Sequence, residues 1–399
     1  MRYDYLKVVY LQPILNPPMD DFDDIRPYSE QEAYDAYLKL MEDKRFQDAI
    51  LKCLPDYSIE QFQEDFKKFH CIDEVQADFD KRFMDVFTSQ FSTGYSLAGI
   101  ENIHPDKAYL YIANHRDITF DSAMLQYYFF LEHRKTSKIA IGDNLIATPV
   151  LGEVARLNKM FLVKRSGSLR EKLANFQQLS AYIQYSLFEQ KESVWIAQRD
   201  GRTKDGFDYT KQGLIKMTSM GHDKDLIATL KRMNITPLCI SYEIEPCDKF
   251  KARELALSEN GHYTKLPGED FESIKEGIFG QKGHISLVIG KPLDEELDTI
   301  PANINNNDKL YHVCQLIDQQ IYQNYKLYAN NYIANDILHD SQQYTQFYTP
   351  EEKDKFLQYL HKRAIVPDVS EEKMMHYLLR IYGTPVDTHY NKPVLENNK

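Results

Sequence analysis

The spacing of apolar positions divides the chain into a helical first part and a mixed second part. Up to about residue 90, apolar residues recur at intervals of three and four, the period of an amphipathic helix. The run 29–32, Ser-Glu-Gln-Glu, predicts a helix start, with Ser29 as N-cap and Glu32 reaching back to its amide. The proline-containing stretch 1–27 before it predicts an irregular arm. We therefore expect an arm and a helical N-terminal domain over residues 1–90.

From about residue 100, short β-rich runs alternate with stretches of helical period. The predicted strands are 108–114, 138–142, 160–165, 193–199, 235–243 and 284–290. Helices are predicted over 168–190 and 307–331, among others. Such alternation is typical of an α/β domain with a largely parallel sheet flanked by helices. We expect that domain over 91–332, and a helical or irregular extension over 333–399 whose last ten residues are disordered.

Composition narrows the class of protein. The 399 residues carry a formal net charge of −12, so a nucleic-acid partner is not expected. The five cysteines include no Cys-x-x-Cys pair, which argues against a disulfide framework or a zinc site and favours a reducing compartment. The N-terminus lacks the apolar core of a signal peptide, and no apolar run approaches the length of about 18 residues that a membrane span needs. We therefore expect a cytoplasmic protein that reaches any lipid from the membrane surface.

Polar signatures follow the predicted strands at their carboxyl ends, where parallel α/β sheets bind ligands. Asn114 and His115 follow the first strand, and Asp121 comes six positions after His115. An imidazole can take the proton of an alcohol that attacks a thioester, and a carboxylate on the other ring nitrogen stabilises the imidazolium. His115 and Asp121 are therefore a candidate base and its partner; alternatively, they cap and pin a strand-to-helix turn. Asp117 is a second candidate partner, which we expect to cap the following helix instead.

Cations cluster after two other strands. The first cluster lies beside the run 166–168, Ser-Gly-Ser, where backbone amides at a helix start favour an anion. The second lies in the loop 198–206, which holds two glycines and three cations. Basic side chains in such places can bind a phosphate, whereas a solvated basic face is the alternative. The candidate phosphate-binding residues are Lys164, Arg165, Arg199, Gly201, Arg202 and Lys204.

Four blocks of the chain, in this order, resemble the motifs of the glycerophospholipid acyltransferase superfamily. They are 114–121, 161–165, 200–206 and 237–243. The family's blocks are Asn-His-x4-Asp, a Phe-x-x-Arg-type strand end, a Glu-Gly-Thr-Arg or Gly-Gly-Arg-Ser-Arg-x-Gly loop, and a proline-containing apolar strand. This chain departs from them in two places, since five residues rather than four separate His115 from Asp121, and Asp200 replaces the usual glutamate. The third and fourth blocks look closer to glycerol-3-phosphate acyltransferases, and the whole chain is similar to stand-alone Bacteroidetes enzymes labelled 1-acylglycerol-3-phosphate acyltransferase.

The resemblance implies the glycerolipid acyltransferase fold and a set of roles. His115 would be the general base and Asp121 its partner. The second and third blocks would bind the phosphate of the acceptor through Arg165, Arg202 and Lys204.

The resemblance also implies substrates. A fatty acyl group would pass from acyl-CoA or acyl carrier protein to the hydroxyl of glycerol 3-phosphate or 1-acylglycerol 3-phosphate in phospholipid synthesis, with no metal or prosthetic group. A lyso-aminolipid or another hydroxylated lipid as acceptor, and a non-catalytic lipid-binding protein, are the alternatives. A lipid product implies transient, peripheral contact with the inner face of the membrane. The run 127–131 and the N-terminal helices are candidate surfaces for it, although both read as protein core by default.

Overall fold

The computed structural model describes residues 22–392, except 55, 70, 147–148, 222–224, 260, 262 and 265–267. Most of the predicted arm and seven of the ten C-terminal residues predicted to be disordered therefore lie outside the described residues. The strands are β1 (Gly94–Ala98), β2 (Leu110–Ala113), β3 (Lys138–Gly142), β4 (Met160–Val163), β5 (Val194–Ala197), β6 (Ile235–Tyr242) and β7 (His284–Ile289). The α-helices are α1 (Glu30–Glu42), α2 (Lys44–Cys53), α3 (Ile59–Phe66), α4 (Ile72–Val75), α5 (Lys81–Phe91), α6 (Phe120–Leu131), α7 (Pro149–Leu157), α8 (Leu169–Phe188), α9 (Gln212–Thr218), α10 (Leu226–Arg232), α11 (Asp248–Ser258), α12 (Glu269–Phe279), α13 (Asn306–Asn324), α14 (Ala329–Leu338), α15 (Pro350–Ala364) and α16 (Glu371–His389).

The strands form one sheet in the order β1-β7-β6-β2-β5-β3-β4. Every neighbouring pair is parallel except β6 with β7, so the predicted α/β fold with a largely parallel sheet is confirmed. Each predicted strand is present: β3 has the predicted bounds, and the other predicted strands are slightly shorter. The sequence did not predict β1, because this short edge strand starts at Gly94 and none of its residues is buried.

Helices cover both faces of the sheet. Leu110 and Ile112 of β2 join one core with α8, α9 and α13, whereas Tyr111 and Ala113 join a second core with α5 and α6. This division follows from the alternation of side chains along a strand. Helix α6 is apolar on nearly all sides, and residues 127–129 are buried in the second core. That burial excludes most of the run 127–131 as a membrane surface.

The N-terminal helices α1 to α5 precede the sheet, as predicted. The capping box is present, since the amide of Ser29 donates to Oε2 of Glu32 at 2.7 Å and the amide of Glu32 donates to Oγ of Ser29 at 3.4 Å. Helix α1 packs against α7 through a small apolar cluster that includes Leu40 and Leu157. The helical first part is therefore attached to the α/β part beside β4, the strand that follows α7.

The single helix predicted over 307–331 is wrong, because α13 ends at Asn324 and α14 begins at Ala329. Tyr325 adopts an extended backbone, and its ring lies 5.1 Å from Cζ of the buried Arg116. The next amide, that of Lys326, donates to Oγ of Ser241 on β6 at 3.0 Å. At Lys326, a hydrogen bond to the sheet therefore takes the place of the backbone hydrogen bond that a continuous helix would make. The predicted boundary between 332 and 333 falls inside α14, which packs with α16 against α11.

Among the described residues, no helix combines the length and the apolar character needed to cross a bilayer.

Candidate active site

His115 lies just past the carboxyl end of β2, in the middle of the sheet. Its Nδ1 lies 2.8 Å from Oδ2 of Asp121, which is in the first turn of α6. The backbone between β2 and α6 is irregular, and this lets the ring and the carboxylate meet although five residues separate them. The side chain of Asp121 is 1% exposed and that of His115 is 13% exposed. The pair is therefore almost enclosed, and the imidazole keeps some access to solvent.

Three further donors hold the carboxylate of Asp121 in one orientation. The amides of Arg116 and Asp117 donate to Oδ2 at 2.6 and 2.9 Å, and the hydroxyl of Tyr242 donates to Oδ1 at 2.8 Å. Burial, together with the nearby charge of Asp121, raises the pKa of Tyr242 well above its ordinary value, so the phenol stays protonated and acts as a donor. Tyr242 was not predicted as a site residue, although it lies in the fourth block.

Asp117 begins α6 instead of contacting the imidazole. Its Oδ1 accepts hydrogen bonds from the amides of Thr119 and Phe120 at 2.8 and 2.7 Å. Its Oδ2 is buried and has no hydrogen-bond partner among the described residues. The structure therefore places Asp121, and not Asp117, on the ring of His115.

The loop after β5 is attached to the backbone of the candidate base. The amide of Thr203 donates to the carbonyl oxygen of His115 at 2.7 Å, and its hydroxyl donates to Asp208 at 2.5 Å. The ring of Trp195, on β5, meets the imidazole edge to face, with ring centroids 5.8 Å apart. The first and third sequence blocks thus form one unit, as neighbouring parallel strands β2 and β5 require.

A buried network of ion pairs lies next to His115 and the loop after β5. The guanidinium of Arg116 is fully buried, with Nη2 2.6 Å from Asp208 and Nη1 3.4 Å from Glu245. Burial acts to lower the pKa of Arg116, but the neighbouring carboxylates outweigh it and hold the pKa well above its ordinary value. Nζ of Lys251 donates to the carbonyl of Arg116 at 2.7 Å and to Glu245 at 2.6 Å. Sequence reasoning missed this network, because its members come from distant parts of the chain; the only signal was the position of Arg116 beside His115.

Two of the predicted phosphate-binding cations are neutralised by carboxylates of the chain itself. Lys164 pairs with Asp24, and Lys204 pairs with Glu254 on α11. Arg165 is exposed at the end of β4, three strands from β2, which corresponds to about 14 Å at the usual strand spacing. The structure therefore does not gather all the predicted cations around His115.

Arg202 and Arg199 remain as cations with unused donors. Arg202 precedes Thr203 and lies beside the thiol of Cys247, whose pKa burial raises to about 11 and the guanidinium partly lowers. Arg199 lies over the ring of Tyr209, 4.6 Å from its centroid. Among the described residues, Nη1 of Arg202 and Nε of Arg199 are buried without a hydrogen-bond partner. These two donors are therefore not used by the described residues.

Gly201 lies between these two arginines. Its φ is +69°, a left-handed conformation that favours glycine, and a Cβ built there would meet nothing within 4 Å. The space above its backbone is therefore open. Across the described part of the chain, no group of three His, Cys, Asp or Glu side chains is arranged to hold a metal ion.

A histidine held by a buried carboxylate at the carboxyl end of a parallel strand is an arrangement suited to general-base catalysis. Residues 95–241 match the family model described as Acyltransferase. The chain therefore carries an acyltransferase domain over these residues, as its sequence blocks predicted.

Among solved structures, the chain is similar to the 1-acyl-sn-glycerophosphate (LPA) acyltransferase PlsC from Thermotoga maritima. The two share 14% identity with a TM-score of 0.35, and the match covers 71% of this chain and 95% of that chain. A search of curated protein sequences found no match.

Proposed function

We propose that this acyltransferase moves a fatty acyl group from acyl-CoA or acyl carrier protein to the hydroxyl of glycerol 3-phosphate or 1-acylglycerol 3-phosphate, as a step of phospholipid synthesis. The observation that carries the proposal is the pair of His115 and Asp121. Because Nδ1 of the imidazole faces the carboxylate at 2.8 Å, Nε2 is the ring nitrogen left for a substrate hydroxyl. This chemistry needs no metal or prosthetic group, since a thioester is already an activated acyl donor.

In the proposed reaction, Nε2 of His115 accepts the proton of the acceptor hydroxyl as its oxygen attacks the thioester carbonyl carbon. A carbon–oxygen bond forms and the carbonyl becomes an oxyanion. When this intermediate collapses, the carbon–sulfur bond breaks and the leaving thiolate takes the proton from Nε2. Asp121 stabilises the imidazolium between these two transfers through its negative charge, and three other donors hold its carboxylate in position.

The unpaired guanidinium donors support an acceptor that carries phosphate. A buried donor without a partner is costly, and a hydrogen bond to a charged oxygen would recover that cost. Arg202 is adjacent to Thr203, whose amide binds the backbone of His115, so a phosphate on Arg202 would lie near the base. Open space above Gly201 leaves room for that group.

A second candidate is an acceptor without phosphate, such as a lyso-aminolipid or another hydroxylated lipid. One specific observation favours it: Lys164 and Lys204 already pair with Asp24 and Glu254, so the site offers less positive charge than the sequence suggested. The two candidates differ in whether Arg202 is needed for binding the acceptor.

One assay tests both candidates. The purified chain is incubated with labelled acyl-CoA or acyl carrier protein and with glycerol 3-phosphate, 1-acylglycerol 3-phosphate, glycerol or a lyso-aminolipid, and products are read by mass spectrometry. We expect products only from the two phosphate acceptors, and none from the His115→Ala variant, whose thermal unfolding should be nearly unchanged because the ring is at the edge of the core. Product from the lyso-aminolipid alone would favour the second candidate, and full activity of His115→Ala would refute the mechanism.

A further inference from the structure

The first two turns of α8 present an apolar stripe to solvent. Leu169, Leu173 and Phe176 are 88%, 51% and 40% exposed, and their spacing places them on one face of the helix. In the second half of the same helix, Leu179 and Ile183 are buried in the core. The helix thus packs its C-terminal half against the sheet and leaves large apolar side chains of its N-terminal half uncovered. A contiguous exposed apolar stripe is typical of an interaction surface.

This stripe lies at the same edge of the sheet as the candidate base. Helix α8 begins a short loop after the carboxyl end of β4, so its first turns lie at the carboxyl edge of the parallel strands. His115 follows the carboxyl end of β2, at that same edge. A surface bound by the stripe would therefore lie on the side of the molecule where the acceptor enters.

Basic side chains flank the stripe. Arg165 and Arg170 are exposed and Lys172 is partly exposed, on a chain whose net charge is −12. The acid among them, Glu171, is occupied in the capping box, where the amide and the hydroxyl of Ser168 both donate to its Oε2 at 2.7 Å. Apolar and basic side chains on one helix are complementary to the interface of a bilayer that contains anionic lipids.

We propose that the segment from Arg165 to Phe176, the N-terminal half of α8 with its preceding loop, docks on an anionic lipid bilayer. Leu169, Leu173 and Phe176 enter the interface, and the basic side chains contact lipid phosphates. Docking on a bilayer goes beyond the proposed acyl transfer and can be measured without turnover.

The test is co-sedimentation of the full chain with vesicles of phosphatidylcholine, with or without phosphatidylglycerol. We expect at least about ten-fold tighter binding to the anionic vesicles, and a loss of at least about ten-fold in the variant Leu169→Ser/Leu173→Ser/Phe176→Ser. A matched control replaces exposed apolar residues on other elements and should bind like the wild type. The control substitutions are Phe271→Ser, Tyr311→Ser and Ile365→Ser.

Several outcomes would overturn the docking proposal. They are a wild-type chain that does not bind anionic vesicles, an equal loss of binding in both triple variants, and hydrogen-exchange protection of residues 166–177 that does not increase when anionic vesicles are added. If light scattering shows that the wild type and the control variant are dimers and the stripe variant is a monomer, the stripe binds a second copy of the chain instead of a bilayer. Thermal unfolding of both variants checks that they fold. Acyl transfer to water-soluble glycerol 3-phosphate should survive in the stripe variant, so a failure of docking is distinguishable from a failure of the proposed function.

Discussion

The amide of Thr203 donates to the carbonyl oxygen of His115 at 2.7 Å, and this bond couples the cationic loop after β5 to the candidate base after β2. The backbone of Arg202, the residue before Thr203, is therefore held close to the backbone of His115. In the proposed reaction, this bond would help to keep the loop and the imidazole in register while the acceptor is bound.

Replacement of Asp121 by asparagine should lower kcat by at least about 100-fold with little change in KM, because an amide neither stabilises the imidazolium nor selects its tautomer. Tyr242→Phe removes only one hydrogen bond to the same carboxylate and should lower kcat by about ten-fold or less. Steady-state kinetics on both variants measures the difference. Activity of Asp121→Asn within a few-fold of the wild type would contradict the assigned pair.

Arg202 and Lys204 should differ in their effect on acceptor binding. Arg202→Ala removes an unpaired buried donor and should raise the apparent KM for glycerol 3-phosphate by at least about ten-fold. Lys204→Ala should change it by about three-fold or less, because Glu254 already pairs with that ammonium. Initial rates over a range of acceptor concentrations separate the two variants, and the reverse order would show that Lys204 holds the phosphate.

Gly277→Ala should destabilise the protein by about 1–3 kcal/mol, since a Cβ at this position in α12 would lie 2.4 Å from Oδ2 of Asp117. Gly213→Ala is the matched control, because that glycine is an exposed position of α9 and its Cβ would meet nothing within 4 Å. The control should be neutral or stabilised by up to about 1 kcal/mol. Urea unfolding midpoints measure the stability of both variants. An unchanged midpoint for Gly277→Ala would show that the Asp117 side chain can move away at no cost.

The stability of the protein should depend on the protonation of Asp318. Burial raises the pKa of this carboxyl from 3.8 to about 7 in the folded state, against the hydrogen bonds from Thr210 that lower it. The folded chain therefore holds a proton that the unfolded chain releases, and the stabilisation is complete below about pH 4 and lost as the pH rises to about 7.

Asp318→Asn keeps an acceptor for the amide and hydroxyl of Thr210 but does not titrate. Relative to the wild type, its free energy of unfolding should therefore rise between pH 4 and pH 8. Urea titrations at several pH values measure this difference, and a difference that stays constant across the range would refute the raised pKa.

Local patterns in the sequence were sufficient for the fold class and for the central pair of the site. Alternating strands and helices predicted the parallel sheet, and strand ends marked the positions of His115 and Arg202. The place of Asp117 at the start of α6 also followed from residue type and spacing, since a short acidic side chain readily accepts from amides two and three positions ahead. These features depend on neighbours along the chain, so one stretch of sequence contains the information.

Only the tertiary structure decided which charges remain free and where the last predicted helix breaks. Lys164 pairs with Asp24, 140 positions away in the sequence, and Lys204 pairs with Glu254, 50 positions away. Helix α13 ends before Tyr325, whose ring lies against the guanidinium of Arg116. No periodicity or motif records such partners, because each pairing depends on how the whole sheet and its helices bring distant segments together. The sequence by itself thus determined the kind of chemistry, and the packing decided how much positive charge remains beside the base for the acceptor.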